Sequence, residues 1–587
     1  MEKRVLLAIV LSFIVLYGYQ AMFPPPEPPP ADPQQQGAPQ DPAAAPGAAA
    51  TPVEAPQAGA TTPSPAPAAP PEAAAAPEPL VADTAERDIV VENASVRAVF
   101  STRGGVIKSW RLKKYLNAAQ EPAELVPQDV NGATPKPFTL TVDDAAVSKV
   151  LAGALYKPSA PSLTVTDAPQ TLTFDYKDAS GLEVQKQFAF HPQSPYVVHL
   201  SATVRRGGED MNPTIQWGPA IGTALDVNTR SYHAPPQPLY YTNGDEYRIA
   251  AGDVAEIANQ QGTYGFAGVD DHYFLSAVVN PKGQIALNYR VVPMPARVPG
   301  EDPPPPYIAW SVKFPSAPSG AQFFFGPKDY DVLGAVDPDL RRSIHFGWFS
   351  LLVVPLLRAL KWINVYIGNY GWSIIALTVL INLVMFPLRH KSVVSMRRMQ
   401  EIQPEVKAIQ DRYAKLKMTD PARQKMNTEL MELYRNRGVN PASGCVPMLL
   451  TLPVLFAFYA MLSVAIELRG APWIGWIKDL SVHDPLFILP VIMGATQFVQ
   501  TKMTPTTADP MQQRVMLFMP LIFMFMFLWF PVGLVLYWTV ANIWAIGQQA
   551  VTNKIIGPPP QRSVRPPAER RVKTAGGGRT DAAKERK

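Results

Sequence analysis

The side chains able to do chemistry in the C-terminal half of this 587-residue chain lie where charge is missing. Five apolar runs, 371–388, 446–466, 485–500, 515–530 and 532–550, contain no Asp, Glu, Lys, Arg or His. They carry uncharged polar groups instead, among them Thr378, Asn382, Gln497, Thr539 and Asn542. Hydroxyls in such runs commonly bond their own backbone or join neighbouring helices. An amide has more to satisfy, and leaving it unpaired in lipid is expensive. Asn382 and Gln497 are therefore expected to face a wet cavity. The chemistry on offer is hydrogen bonding to a polar passenger. Ion-coupled transporters and pumps carry ionisable groups within their spans, and these runs have none.

Elsewhere the motifs of catalysis are missing. One cysteine, Cys445, supports neither a disulfide framework nor a multi-cysteine metal site. His191, His199, His233 and His272 share no metal-ligand spacing, and no G-x-S-x-G occurs. No G-x-x-x-x-G-K-[ST] is present to hold a nucleotide. Asp270-Asp271-His272 is the most enzyme-like cluster, and we expect it to be a solvated turn before a strand. No metal or cofactor is expected.

The elements that must position the polar groups are membrane spans. Charged residues make up 17 % of the chain, yet the mean hydropathy of −0.01 is too low for a protein that is membrane throughout. The averages describe a mixture. Val5–Phe23 follows Lys3 and Arg4 and is long enough to span. A cleaved signal peptide and an uncleaved anchor both suit it; its length and the lack of an A-x-A site favour the anchor. Residues 24–82 hold 19 prolines, the first Pro24 and the last Pro79, and read as a disordered tether. The five C-terminal runs then give six spans, once Pro531-Val532-Gly533 divides the last stretch. Those at 485–500 and 515–530 are short for a bilayer, which favours local thinning.

Charge sets the orientation. Segment 389–440 has 12 Lys/Arg against 6 Asp/Glu, and 551–587 has 10 against 3. Residues 24–342 have 23 basic and 34 acidic side chains. Positive segments stay in the cytoplasm, so both termini lie inside and 24–342 outside.

Between residues 83 and 339 the pattern alternates with period two, for example over Thr171–Tyr176, Glu183–Phe190 and Tyr196–Val204, with turn residues between. An exported all-β sandwich follows. Residues 345–367 read as an interfacial amphipathic helix. Segment 389–440 reads as a cytoplasmic helical hairpin, with Asp420 as N-cap and Pro421 at the first helical position. Its Met396, Met399, Met426 and Met431 suit either an adaptable apolar docking face or packing between the two helices. The basic tail 551–587 could meet anionic lipid or ribosomal RNA, or serve only to fix topology.

These residues resemble a known family. NPASGCVPMLLTLPVLFAFYAML (440–462), ELRGAPWIGWIKDLSVHDPLFILPVIMG (467–494), DPMQQRVMLFMP (509–520) and LWFPVGLVLYW (528–538) are similar, in order and spacing, to the Oxa/Alb/YidC family of membrane protein insertases. STRGG (101–105) and YFLSAVV (273–279) resemble the periplasmic domain of its Gram-negative type. The resemblance implies a five-helix core around a hydrophilic groove open to cytoplasm and lipid, and a periplasmic β-supersandwich. It implies an insertase and chaperone for newly made inner-membrane proteins, acting alone or with the Sec translocon, and no enzyme. Nascent membrane proteins, the translocon, lipids and, through the tail, ribosomes are the implied partners; DNA is not among them. Aligning VMFPL (384–388) puts Asn382 where many members carry a groove arginine, so the groove here is expected to be polar but uncharged. Thr378, Tyr537 and Trp538 fall at groove or substrate-contacting positions, and Gln497 is the further groove amide.

Two rival classes predict something else. A solute transporter or channel needs ionisable or broken-helix sites at the midplane. A sugar-binding or sugar-isomerising enzyme needs a carboxylate and histidine constellation in the exported domain.

Overall fold

The structure, a computed structural model, describes residues 78–117, 121–128, 130, 134–221, 234–293, 306–413, 422–439, 446–504 and 510–556. The Val5–Phe23 run, the tether up to 77, Asp420-Pro421, Cys445 and the tail from 557 lie outside the described residues.

The β-rich part follows from alternation. In the strand Leu182–Phe190 every second side chain is buried, and it pairs antiparallel with both Gln170–Asp178 and Val197–Arg206. Val184 sits opposite Tyr176 and Phe188 opposite Leu172, so one face carries the apolar set. The turn between the first two strands is held by Asp178, whose carboxylate accepts from Ser180 N at 2.8 Å, with Gly181 at φ +80°. These strands belong to an eleven-stranded sheet, and two five-stranded sheets accompany it. Aromatic rings join them. Trp110 of one small sheet stacks on Phe325 of the large one, and Trp217 of the other stacks on Phe323.

One buried cation stands out in this core. Lys186 is fully buried, and its Nζ donates to the carbonyls of Gly104 at 2.6 Å, Phe138 at 2.8 Å and Gly105 at 3.3 Å. Burial pulls its pKa down to about 7. A lysine whose folded pKa lies below its unfolded one binds fewer protons when folded, so stability rises with pH between those two values. We expect the melting temperature of the full chain's β signal to rise from pH 7 to pH 9. Lys186→Met should abolish that slope and lower the baseline, because three buried carbonyls lose their donor. A slope unchanged in the variant would assign it to another group.

The chain then turns helical. The helices are α1 (Ala145–Gly153) and α2 (Tyr330–Val336) within the β-rich part, then α3 (Ser350–Ile367), α4 (Tyr370–Glu401), α5 (Gln403–Arg412) and α6 (Ala422–Asn436). They are followed by α7 (Val446–Val464), α8 (Ile488–Met503), α9 (Pro510–Met526) and α10 (Val532–Ile556). By length and composition α3 and α4 could each cross a membrane, and Leu452–Val464 and Gln513–Trp529 are shorter apolar helices. Helix α4 runs without a break from its apolar half into the basic one, and the chain bends at Ile402–Gln403, ahead of Pro404. Between α9 and α10, Phe530 is extended and Pro531 precedes the new helix. That helix start is bonded to the preceding loop, Val532 N to Val482 O at 2.8 Å and Gly533 N to Leu480 O at 2.9 Å. Gly371 opens α4 against Trp473, where a Cβ would fall 2.2 Å from the indole.

The β-rich part and the helices meet at a polar seam, and here the Asp270-Asp271-His272 expectation fails. The turn is buried, not solvated. Asp270 pairs with Lys328 at 2.8 Å, and Asp271 caps the backbone N–H groups of Tyr273 and Phe274. His272 Nε2 meets the Ser463 carbonyl of α7 at 2.7 Å, and burial holds its pKa below the ordinary histidine value. Nearby, Lys361 of α3 contacts Asp331 at 2.6 Å, Glu467 at 3.1 Å and Asp329 at 3.3 Å. Arg469 lies over the rings of Tyr273 and Phe274.

Candidate functional site

Three positions on α4 build the centre of the site. Thr378, Asn382 and Arg389 are spaced by four and seven residues, and a 100° step per residue puts them on one stripe of the helix. Thr378 is fully buried and its Oγ1 donates to Ile374 O at 2.6 Å, so the hydroxyl serves its own backbone. Asn382 is 4 % exposed; its Nδ2 donates to Thr378 O at 2.7 Å. Its Oδ1 accepts from Arg389 Nη1 at 2.8 Å.

The structure thus sets a positive charge beside an amide that the sequence reading surrounds with uncharged groups alone. Arg389 follows the apolar run in sequence, but helical side chains lean towards the N-terminus, and a long one reaches back two turns. The guanidinium therefore sits at the Asn382 amide. The i, i+7 spacing was the available signal, and counting Arg389 with the hairpin hid it.

Helix α10 supplies the aromatic residues, which face two ways. Tyr537 is buried and stacks on Phe458 of α7, with ring centroids 4.3 Å apart. It is also close enough to Arg389 to feel its charge. Trp538 turns to α8 and the end of α9: its Nε1 donates to Gln497 Oε1 at 2.8 Å, and its ring packs on Phe523 of α9 at 6.0 Å and on Phe527, just past that helix, at 5.0 Å. Gln497 and Asn382 are thus not partners. The candidates fall into an Asn382, Arg389, Tyr537 group and a Gln497, Trp538 pair on either side of α10. Asn542 lies beside the pair, with long contacts of 3.5 Å to Met493 O and Thr496 Oγ1.

The pair makes a testable unit. Trp538→Phe and Gln497→Leu each remove the same bond, worth about 0.5–1.5 kcal/mol. Each should lower insertion activity by up to about tenfold, and the double variant should lose no more than either alone. Additive losses would show that the two side chains act separately.

In the hairpin the methionines divide. Met399 is buried with Ile402, Val406, Ile409 and Leu430, and Met426 packs against the same cluster. That corrects the idea of a docking face for Met399, because α5 and α6 pack on each other around it. Met396 is half-buried, and Met431 is 59 % exposed and leaves apolar surface free. Arg437–Glu405 at 2.6 Å and Arg412–Glu429 at 2.9 Å join the two helices.

Comparison with known proteins bears on both halves. The family model described as 60Kd inner membrane protein matches residues 362–558, and that of the YidC periplasmic domain matches 88–359. A protein of Geobacter metallireducens named membrane protein insertase YidC is 36 % identical, over 95 % of this chain and 99 % of its own. One of the same name from Pelobacter propionicus is 35 % identical, over 95 % of this chain and all of its own. A crystal structure described as an active YidC insertase with its first transmembrane domain resolved aligns at 20 % identity, over 81 % of this chain and 95 % of its own, with a TM-score of 0.33.

Proposed function

The chain belongs to the YidC family of membrane protein insertases, and on that premise we propose that it inserts newly made membrane proteins into the bilayer and assists their folding. The observation that carries the reading is a likeness unbroken from the β-rich domain through the helical region. The chain's work is transfer between environments, with no bond made or broken.

The reading extends to topology. Six spans place both termini in the cytoplasm and the β-rich domain, a sandwich, in the periplasm of an inner membrane. The excess of basic residues in 389–440 and 551–587 supports this. Helix α3 lies in the outer interface. It buries Val353, Leu357 and Leu360 on one side, exposes Leu351, Trp362 and Val365 on the other, and is tied by Lys361 to the β-rich domain.

In the mechanism, the hairpin receives an apolar segment, with Met431 on its free surface. The client's polar flank enters a groove between α4, α7, α8, α9 and α10, open to cytoplasm and lipid. There Asn382 and Arg389 replace part of its lost water, and Arg389 attracts an acidic tail. Tyr537, Trp538, Gln497 and Thr378 shape the walls. Apolar burial, at about 25 cal/mol per Å², drives release into lipid. The membrane potential assists a negative tail by ~2.3 kcal/mol per charge per 100 mV. The Sec translocon, for larger clients, and the ribosome, through the basic tail, complete the proposed partners.

The test is reconstitution of the purified full chain into sealed liposomes without a translocon. A single-span client is synthesised outside, and its exported part is scored for protease protection. Protection well above empty liposomes, lost in Asn382→Leu with Trp538→Ala, is the expected result. Protection no better than empty liposomes would replace autonomous insertion by a partner-dependent chaperone role.

A further inference from the structure

Beside the Asn382 stripe, helices α4 and α10 frame a second feature, a cleft of about 390 Å³. It is lined by apolar side chains including Val379, Phe386, Val540, Ile543 and Val551, and none of its residues belongs to the groove set. Its volume lies in the ~300–1,000 Å³ range of small-molecule pockets. Two donors at its wall have no partner among the described residues, Trp544 Nε1 and Gln548 Nε2. Gln548 is 7 % exposed, so its amide is not answered by bulk water. At Gly547 a Cβ would meet nothing within 4 Å, so the wall between them is open.

We propose that this cleft holds an anionic phospholipid, with its acyl chain along Val379, Phe386 and Val540 and its ester and phosphate oxygens on Trp544, Gln548 and Lys554.

The chemistry selects that occupant. Two unpaired N–H groups beside apolar surface need an acceptor that arrives with an apolar body. The backbone carbonyls of a partner helix are already bonded within that helix, whereas the ester oxygens of a lipid are free acceptors. Charge points to an anionic headgroup. The His390 ring stacks on Phe386 at the cleft's basic end, and Lys554 lies exposed one turn beyond Val551. Helix α10 has no carboxylate, and α4 has none before Glu401. From Gln548 to Lys554 the helix rises about 9 Å, enough to separate an ester contact from a phosphate contact. The placement in the cytoplasmic leaflet rests on the proposed topology; the contacts themselves do not.

The full chain, purified in mild detergent and offered phosphatidylglycerol or phosphatidylcholine, is examined by native mass spectrometry for retained lipid. Wild type should retain phosphatidylglycerol. Gln548→Leu, which removes one donor, should lower retention about five- to tenfold. Gly547→Leu, which fills the open wall, should lower it at least as much. Lys554→Gln should erase the preference over phosphatidylcholine. Thermal melting of each variant establishes that it has folded. Equal retention in wild type, Gln548→Leu and Gly547→Leu would overturn the proposal, as would a photo-crosslinker at Ile543 that captures protein and no lipid. The insertion assay is read separately: Asn382→Leu should impair insertion with lipid retention intact, so failure of the lipid site and failure of the insertase reading are distinguishable.

Discussion

Arg389→Gln is expected to lower insertion of a client with an acidic exported tail by about ten- to a hundredfold, the range for losing a hydrogen bond to a charged group worth about 1.5–3 kcal/mol. The guanidinium is half-buried, donates to Asn382 at 2.8 Å and lies within electrostatic reach of Tyr537. It is the positive charge that the structure places at the amide, at a helix position two turns from where relatives are expected to carry theirs. Arg389→Lys should keep part of the activity, because the charge persists while the planar fork is lost. A client with a neutral tail should be affected much less. Equal losses for acidic and neutral tails would show that Arg389 holds α4 in place and does not read client charge. Asn382→Leu should act in the same direction, since it strands the guanidinium without its acceptor.

Lys361→Met is expected to loosen the seam between the β-rich domain and the helices, at about 1.5–3 kcal/mol, the usual range for losing hydrogen bonds to charged groups at a partly buried site. Lys361 answers Asp329 and Asp331 from one side and Glu467 from the other. Glu467 is 7 % exposed at its side chain, and burial pushes its pKa up despite the lysine beside it. Its charged form is therefore held at some expense, and the sign of its own substitution is the opposite. A group whose folded pKa is raised destabilises the fold above that value, so Glu467→Gln should be neutral or mildly stabilising at pH 7. In the double variant Lys361→Met with Glu467→Gln, part of the lost stability should return. Limited proteolysis across residues 340–350 and thermal melting provide the readouts. Equal destabilisation by Lys361→Met and Glu467→Gln would mean that the pair contributes as a unit and that the burial argument is wrong.

Much of this was legible in the linear chain because it depends on neighbours. Alternation over 171–204 specifies strands whose side chains divide between core and solvent, and the structure's strand Leu182–Phe190 repeats that period. Pro531 and Gly533 cannot continue a helix comfortably, and α10 begins between them at Val532. Long composite motifs identify the family because their residues recur in order. The side-chain partnerships were another matter. Met399 suited a docking face and interhelical packing equally well in sequence, and α5 and α6 closed over it. Asp270-Asp271-His272 looked like a wet turn until α7 covered it with the Ser463 carbonyl.

Sequence by itself determined the kind of protein: a β-rich domain joined to apolar, charge-free runs, basic segments at 389–440 and 551–587, and the family they resemble. Only the tertiary structure decided which polar group answers which. It brought Arg389 back to Asn382, joined Trp538 to Gln497, and left Trp544 and Gln548 without an acceptor among the described residues. The reason is geometric. Composition and periodicity act over a few residues, whereas a hydrogen bond between side chains depends on helix phase, side-chain reach and the approach of segments distant in the chain.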